Sequence, residues 1–138
     1  MVTYNPIFKQ SNMKKRKVLG KHILLELYDC PQSKMNDIEG LEKQLCQAAE
    51  IMGATLVDSR FHQFSPYGVS GVVVIQESHL TIHTWPEFGY AAIDIFTCGD
   101  IDMDAGIKYL EKALQSRRVD SRLIERGINL PTAKPLPA

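Results

Sequence analysis

"VVVIQESHLTIHTW", from Val72 to Trp85, contains two apolar runs that meet at Glu77-Ser78. Valine, isoleucine and threonine dominate both runs, and residues that branch at Cβ favour strands over helices. The short polar break between the runs is typical of a turn. The stretch therefore predicts two antiparallel strands joined at Glu77-Ser78, and this hairpin sets the pattern for the segments around it.

Further strands are predicted on both sides of the hairpin. The stretches Ser65-Pro66-Tyr67-Gly68 and Pro86-Glu87-Phe88-Gly89 contain the proline and glycine residues that mark turns, and they divide the segment from Thr55 to Thr97 into strand-length pieces. Short connections between successive strands favour antiparallel pairing. Alternating apolar residues predict one more strand from Val18 to Tyr28, and a last strand is predicted from Ser121 to Glu125.

Two amphipathic helices are predicted between these groups of strands. Asn36, followed by Glu39, is similar to a capping box that starts the first helix, and Gly53 predicts its end. The apolar stripe of this helix comprises Ile38, Leu41, Leu45, Ala48 and Met52. A second helix is predicted from Asp102 to Leu114, where apolar residues recur at helical spacing.

The order of these elements predicts the fold class. Strand, helix, three strands, helix and strand give an α+β fold, a two-layer sandwich of an antiparallel β-sheet with helices on one face. A chain of 138 residues is expected to form one domain, residues 1–138. The polar residues 1–17 and the proline-containing residues 127–138 are expected to be flexible tails.

The second face of this sheet is left without a helix. Alternation along the strands places His83 and Cys98 on that face, if the isoleucines of the same strands face the helices. Large apolar side chains such as Phe64 and Phe96 are also expected there. A partner is therefore predicted to cover this face.

Composition argues against several classes of protein. The chain has 16 basic and 16 acidic residues, so it offers no overall attraction to nucleic acid. It has no stretch of about 20 apolar residues and no apolar segment typical of a signal peptide, which indicates a cytoplasmic protein without a membrane partner. Three cysteines, Cys30, Cys46 and Cys98, without CxxC spacing indicate neither a disulfide framework nor a structural zinc site.

Two familiar site chemistries are poorly supported by the hairpin. His79 and His83 lie four residues apart on a predicted strand, about 13 Å from each other, which is too far for one metal ion. Ser78 lacks the G-x-S-x-G pattern of a hydrolase nucleophile, and no oxyanion hole is apparent. The plainer interpretation is that Ser78 only turns the chain and that His83 is a hydrogen-bonded core residue.

A third chemistry directs Ser78 at its own backbone. A serine hydroxyl in a strained turn can attack the carbonyl carbon of the preceding residue, here Glu77, and convert the peptide bond into an ester. Removal of the Ser78 Cα proton then expels the upstream chain by β-elimination. The dehydroalanine that remains hydrolyses to a pyruvoyl group.

The stretches "GKHILLELYDC" and "FHQFSPYGVSGVVVIQESHLTIHTWPEFGYAAIDIFTCGD" resemble bacterial and archaeal S-adenosylmethionine decarboxylase proenzymes, over roughly Leu19 to Asp100. The resemblance implies self-cleavage between Glu77 and Ser78 into a beta chain, residues 1–77, and an alpha chain, residues 78–138. It further implies that the pyruvoyl group from Ser78 forms a Schiff base with S-adenosylmethionine, so that neither PLP nor a metal is needed. The small members of the family are homodimers with sites at the subunit interface.

The resemblance also implies a role for each residue that matches the family's site. Ser78 becomes the pyruvoyl group, His83 accepts its Cα proton during processing, and Ser70 assists the acyl shift. Cys98 donates a proton in decarboxylation. Phe64 stacks on the purine of the substrate, and Glu87 binds its ribose.

Two alternatives remain open at this point. The same machinery could decarboxylate another amino acid such as ornithine or arginine, although a carboxylate at Glu87 suits a ribose. The chain could also be an inactive homologue that serves as a regulatory partner. The intact set of Ser78, His83 and Cys98 argues against this second alternative.

Overall fold

Seven strands and three helices form within the part of the chain that the computed structural model describes, residues 2–6, as backbone only, and residues 16–137. The strands are β1 (Val2–Pro6), β2 (Val18–Tyr28), β3 (Thr55–Gln63), β4 (Val69–Gln76), β5 (Ser78–Trp85), β6 (Tyr90–Thr97) and β7 (Arg118–Ile128). The helices are α1 (Gln32–Met35), α2 (Ile38–Ile51) and α3 (Met103–Ala113), and a 3₁₀ turn spans Pro86–Phe88.

All seven described strands belong to one sheet, in the order β1-β7-β2-β6-β5-β4-β3. Strands β2 to β7 pair antiparallel with one another, which confirms the predicted α+β fold with an antiparallel sheet. The predicted order was wrong in one respect, because four strands rather than three lie between the two long helices. Strand β1 was not predicted, and it lies within the residues expected to be a tail, as the parallel partner of β7.

One face of the sheet supplies the core. Alternate residues of β2, β5 and β6 are fully or almost fully buried, while α2 and α3 cover them with their apolar stripes. The buried strand residues include Ile23, Leu25, Leu27, Leu80, Ile82, Ala91, Ile93 and Ile95. Because burying each leucine or isoleucine contributes about 1.5–3 kcal/mol, this face fixes which way every strand is turned.

The start of α2 differs from the prediction by one residue. Asp37, not Asn36, is its N-cap, and the Asp37 carboxylate accepts a hydrogen bond of 3.1 Å from the backbone N–H of Gly40. Asn36 instead ends the short helix α1, which was not predicted from the sequence. The end of α2 was predicted correctly, since Gly53 follows it with a φ of 88° that favours glycine.

The face away from α2 and α3, here called the open face, is not covered by any described helix. It carries His79, Thr81 and His83 of β5, which alternate with the buried residues of that strand. Trp85 continues the same row and remains 40% exposed. This face presents the polar and aromatic residues from which a site can be built.

Candidate active site

Ser78 and Cys98 meet where β5 begins and β6 has just ended. Ser78 pairs in register with Thr97, the last residue of β6, so Cys98 follows directly beside it. The Ser78 hydroxyl oxygen lies 3.4 Å from the Cys98 sulfur, within hydrogen-bonding range. Cys98 is exposed, which leaves its thiol accessible to a reactant.

The backbone at Ser78 is strained. Its φ is 125°, in a region that residues with a side chain rarely adopt, and such a conformation costs on the order of 1–3 kcal/mol. Alternation along β5 would direct Ser78 with Leu80 toward the helices, but this φ departs from strand geometry. The hydroxyl lies beside Cys98 instead.

The carbonyl group of Glu77 has a donor of its own. The backbone N–H of Cys98 donates a hydrogen bond of 3.3 Å to the Glu77 oxygen. A donor in this position stabilises negative charge that develops on that oxygen when its carbonyl carbon is attacked. The sequence analysis found no oxyanion hole, and no sequence pattern marks a backbone donor that only strand pairing provides.

Ser70 and His83 form a second pair at the other end of β5. They are cross-strand partners of β4 and β5, and the Ser70 hydroxyl oxygen lies 2.7 Å from Nδ1 of His83. This hydrogen bond holds the imidazole in one orientation on the open face. The arrangement suits a histidine that accepts or donates a proton.

A cavity of about 300 Å³ lies next to this pair. Four residues singled out from the sequence line it, namely Phe64, Ser70, His83 and Glu87. Tyr67 and Trp85 line it as well and were not predicted to be site residues. The signal for Trp85 was present, because it lies two residues after His83 on a strand and so shares its face.

The structure does not bring the two pairs together within one chain. Ser78 and His83 lie five residues apart on the same strand, which corresponds to about 16 Å at 3.3 Å per residue. The site residues therefore form two groups at opposite ends of β5. The end at which the sequence predicts cleavage, here called the cleavage end, contains Glu77, Ser78 and Cys98, whereas the end beside the cavity, here called the pocket end, contains Phe64, Ser70, His83 and Glu87.

A polar network occupies the open face between the two ends. Nε2 of His22 lies 3.1 Å from a carboxylate oxygen of Asp94, and the Thr81 hydroxyl donates to the other oxygen at 3.0 Å. The Arg126 guanidinium contacts His22 from β7 at 3.2 Å. Sequence analysis gave no role to these residues, since each one alone looks like an ordinary polar residue of a strand.

An aromatic stack extends this network toward the pocket end. Tyr90 stacks on Tyr28 with ring centroids 5.3 Å apart and on Trp85 at 5.2 Å, while the Arg118 guanidinium lies 4.1 Å from the centre of the Tyr28 ring. The Tyr90 hydroxyl donates to Glu26. Burial, together with this carboxylate, raises the pKa of Tyr90 well above its usual value, so it remains a hydrogen-bond donor.

The described residues form neither a metal-binding cluster nor a membrane-spanning helix. In residues 16–137, histidine, cysteine, aspartate and glutamate side chains nowhere form a group of three or more that could hold a metal ion. Over the same residues, each helix is too short or too polar to cross a membrane.

The three thiols differ in their surroundings. Cys30 is only 5% exposed, and burial raises the pKa of its thiol. Burial also raises the pKa of Cys46, which is partly exposed within α2. Cys98 alone of the three is exposed, which agrees with its place at the cleavage end.

Comparison with known proteins identifies relatives of the chain. The sequence model of the family described as S-adenosylmethionine decarboxylase matches residues 21–127. An S-adenosylmethionine decarboxylase proenzyme of Thermosipho melanesiensis is 60% identical over 104 residues, which cover 75% of this chain and 80% of the relative. A proenzyme of the same description from Pseudomonas aeruginosa is 50% identical over 112 residues, covering 80% and 70% of the two chains.

A solved structure agrees with these sequence matches. The crystal structure of the adenosylmethionine decarboxylase from Aquifex aeolicus superposes with a TM-score of 0.76 and 36% sequence identity. The match covers 86% of this chain and 99% of the other. The similarity therefore extends over most of the fold.

We expect the three thiols to react at different rates. Iodoacetamide at pH 7.5 should modify Cys98 at least about 10-fold faster than Cys30, because the reactive thiolate forms less readily in a buried thiol with a raised pKa. Peptide mapping by mass spectrometry over time would measure the rates, and the urea-unfolded chain, in which the thiols should react alike, is the reference. Equal rates for Cys30 and Cys98 in the folded chain would contradict the described burial.

Proposed function

The chain belongs to the S-adenosylmethionine decarboxylase family, and we propose that it becomes active by cleaving its own backbone between Glu77 and Ser78. It is a proenzyme of the prokaryotic type whose reaction removes CO₂ from S-adenosylmethionine. The product, S-adenosylmethioninamine, supplies aminopropyl groups for the biosynthesis of spermidine and other polyamines. The observation that carries the proposal is the strained serine whose preceding carbonyl accepts a hydrogen bond from Cys98.

The first step is an acyl shift within the backbone. The Ser78 hydroxyl oxygen attacks the Glu77 carbonyl carbon, the Cys98 N–H stabilises the charge on the carbonyl oxygen, and the carbon–nitrogen bond then breaks. The hydroxyl proton passes to the Ser78 nitrogen, which becomes a free amine, and the result is an ester between Glu77 and the Ser78 side chain. Relief of the strain at Ser78 favours this step, because the peptide bond that enforced its φ no longer exists.

The second step requires a base at the Cα proton of Ser78. His83 is suited to this role, since Ser70 orients its imidazole. Removal of the proton breaks the bond between Cβ and the ester oxygen, and Glu77 leaves as a carboxylate. Water then hydrolyses the dehydroalanine, and its nitrogen leaves as ammonia. A pyruvoyl group remains at the start of residues 78–138.

His83 of the same chain lies about 16 Å along β5 from Ser78, so the base comes from a second copy. The two copies would face each other across their open faces, around a two-fold axis that is perpendicular to their strands. This symmetry places the cleavage end of one chain beside the pocket end of its partner. Each dimer then contains two identical sites. Every site combines Ser78 and Cys98 of one chain with Ser70 and His83 of the other.

The character of the open face supports such a homodimer. Its polar network and aromatic stack lie on the side of the sheet that no described helix covers, and Trp85 and Val74 are 40% and 39% exposed in the single chain. Aromatic and arginine side chains, such as Trp85 and Arg118, are typical of the centres of protein interfaces. A second copy of the chain would bury them.

The residues at the cleavage end fit the cofactor that cleavage would create. Ser78 has the Cys98 thiol at 3.4 Å, so the group formed from this serine has a proton donor next to it. When present, the pyruvoyl group supplies a ketone that accepts electrons as the substrate loses CO₂, without PLP or a metal ion. Cys98 then delivers a proton to the substrate carbon.

The pocket end is suited to the nucleoside part of the substrate. Phe64 offers an aromatic face to the purine, and its ring can attract the neighbouring sulfonium by about 0.5–2 kcal/mol. Glu87 lines the same cavity and can accept hydrogen bonds from the ribose hydroxyls. Ornithine and arginine have no groups for these contacts.

We place the enzyme in the cytoplasm, where reducing conditions keep Cys98 a free thiol.

Self-cleavage should be visible in the mass of the purified protein. The chain should separate under denaturing conditions into fragments of 77 and 61 residues, the lengths on either side of the Glu77–Ser78 bond, and the second should start with pyruvoyl. Ser78→Ala should remain one chain because it lacks the attacking hydroxyl. Ser59→Ala, which changes a serine remote from the cleavage end, should cleave normally. A wild-type chain that stays intact at neutral pH would refute the proposal.

Co-expression of two inactive variants tests whether the site is shared between chains. Ser78→Ala alone should stay intact, and His83→Ala alone should stall at or before the ester. In a mixed dimer, one site combines the intact Ser78 of the His83→Ala chain with the intact His83 of the Ser78→Ala chain. The His83→Ala chain should therefore be cleaved only in the mixture, which mass spectrometry of differently tagged chains would reveal. Absence of cleavage in isolated mixed dimers would show that His83 serves its own chain.

Cys98→Ala should separate the two functions of Cys98. Cleavage should proceed, because the backbone N–H is retained, whereas decarboxylation should slow by roughly 10² to 10⁴ without the positioned acid. Protonation at the wrong carbon should also leave alanine at the start of the 61-residue fragment after turnover, as measured by mass. Cys46→Ala is the control. Full and lasting activity in Cys98→Ala would exclude this thiol as the proton donor.

A further inference from the structure

The loop between β3 and β4, residues 64–68, is here called the pocket loop. Three of its residues, Phe64, Tyr67 and Gly68, line the cavity at the pocket end. Residues 64–67 are all exposed, and within the loop the backbone N–H of Phe64 donates a closing hydrogen bond of 2.8 Å to the carbonyl of Gly68. Exposed loops with few internal contacts are mobile, so contacts from outside are needed to hold both aromatic rings in one position.

Asn36 provides such contacts from the other layer of the protein. Its side-chain oxygen accepts a hydrogen bond of 2.9 Å from the backbone N–H of Gly68 and another of 2.9 Å from the side-chain amide of Gln63. The same amide nitrogen of Gln63 donates to the Gly68 carbonyl at 2.9 Å. Asn36 therefore ties together the residue before the pocket loop and the residue that ends it.

Asn36 is itself held against the strands that carry the site. It follows Met35, which is fully buried and whose carbonyl accepts a hydrogen bond of 2.6 Å from the buried Thr84 hydroxyl. The Thr84 oxygen also accepts from the backbone N–H of Val69 at 2.9 Å. Since Thr84 follows His83 and Val69 precedes Ser70, the end of α1 is fixed relative to both catalytic residues of the pocket end.

We propose that Asn36 is a positioning residue, which holds the pocket loop so that Phe64 and Tyr67 present a formed surface to the nucleoside of the substrate. This inference rests on the function proposed above. Asn36 has no part in capping α2, because Asp37 performs that role, and so its side chain is available for the loop. The described hydrogen bonds of the Asn36 side chain go to Gln63 and the pocket loop and not to Ser70 or His83, so its removal should affect substrate binding rather than cleavage.

Asn36→Ala and Asn36→Asp test the proposal in the processed enzyme. Asn36→Ala loses both acceptor contacts, and its KM for S-adenosylmethionine should rise by roughly 5- to 10-fold, the effect of about one lost hydrogen bond in net terms. Its kcat and the rate of self-cleavage should remain within about 2-fold of wild type, because the groups that react are untouched. Asn36→Asp keeps an oxygen in the same place and should restore a KM close to that of wild type.

Asp37→Ala is the matched control. It removes the cap of α2 from the adjacent position and should lower thermal stability without changing KM, because Asp37 makes no described contact with the pocket loop. If Asp37→Ala raises KM as much as Asn36→Ala does, the effect reflects general destabilisation and the proposal is wrong. An unchanged KM in Asn36→Ala would also overturn it.

Deuterium exchange separates this inference from the proposed function. In Asn36→Ala, peptides that contain Gly68 should exchange faster than in wild type, whereas Asn36→Asp and Asp37→Ala should match wild type there. This measurement does not depend on turnover. If wild type shows neither cleavage nor decarboxylation, the proposed function fails, and unchanged exchange at Gly68 in Asn36→Ala would independently show that Asn36 does not hold the loop.

Discussion

The register of β5 between β4 and β6 is the constraint on which the rest of the site depends. Leu80 and Ile82 are fully buried beneath the helices, and a shift of β5 by one residue would turn both toward the open face. The same register places His83 opposite Ser70 and Ser78 opposite the end of β6, next to Cys98. The core therefore selects the alignment in which both pairs of site residues form. The buried side chains that fix this alignment are not themselves part of the site.

Sequence analysis predicted most of the fold because apolar periodicity reports directly on burial. The strand from Val18 to Tyr28 has the predicted limits, and both long helices lie where their stripes indicate. Helix α1 was missed because its four residues form only about one turn, and β1 was missed because it lies in a stretch that is polar overall. Asn36 and Asp37 are adjacent and chemically similar, so no pattern could assign the cap, which depends on where α1 ends.

The candidate residues were found from motifs, but their arrangement was not. An extended strand separates His79 from His83 by about 13 Å, and for the same reason it keeps Ser78 and His83 about 16 Å apart. His83 and Cys98 were predicted to lie on one face of the sheet, but that prediction did not include their distance along the strands. Their proposed roles become compatible with the geometry once a second copy supplies half of each site. Backbone contributions such as the Cys98 N–H become visible only when the strands are paired.

The order of strands in the sheet requires the chain to fold before the proposed cleavage. Residues 1–77 contribute β1, β2, β3 and β4, whereas residues 78–138 contribute β5, β6 and β7, and the strands of the two sets are interleaved in the sheet. Four of the six described strand pairings would thus join different chains after the cut. An uncut chain folds by a unimolecular route, but two separated fragments would have to find each other in solution. After cleavage, the fold would persist because it unfolds slowly and not because it can refold. A processed molecule that was denatured would therefore not regain its structure.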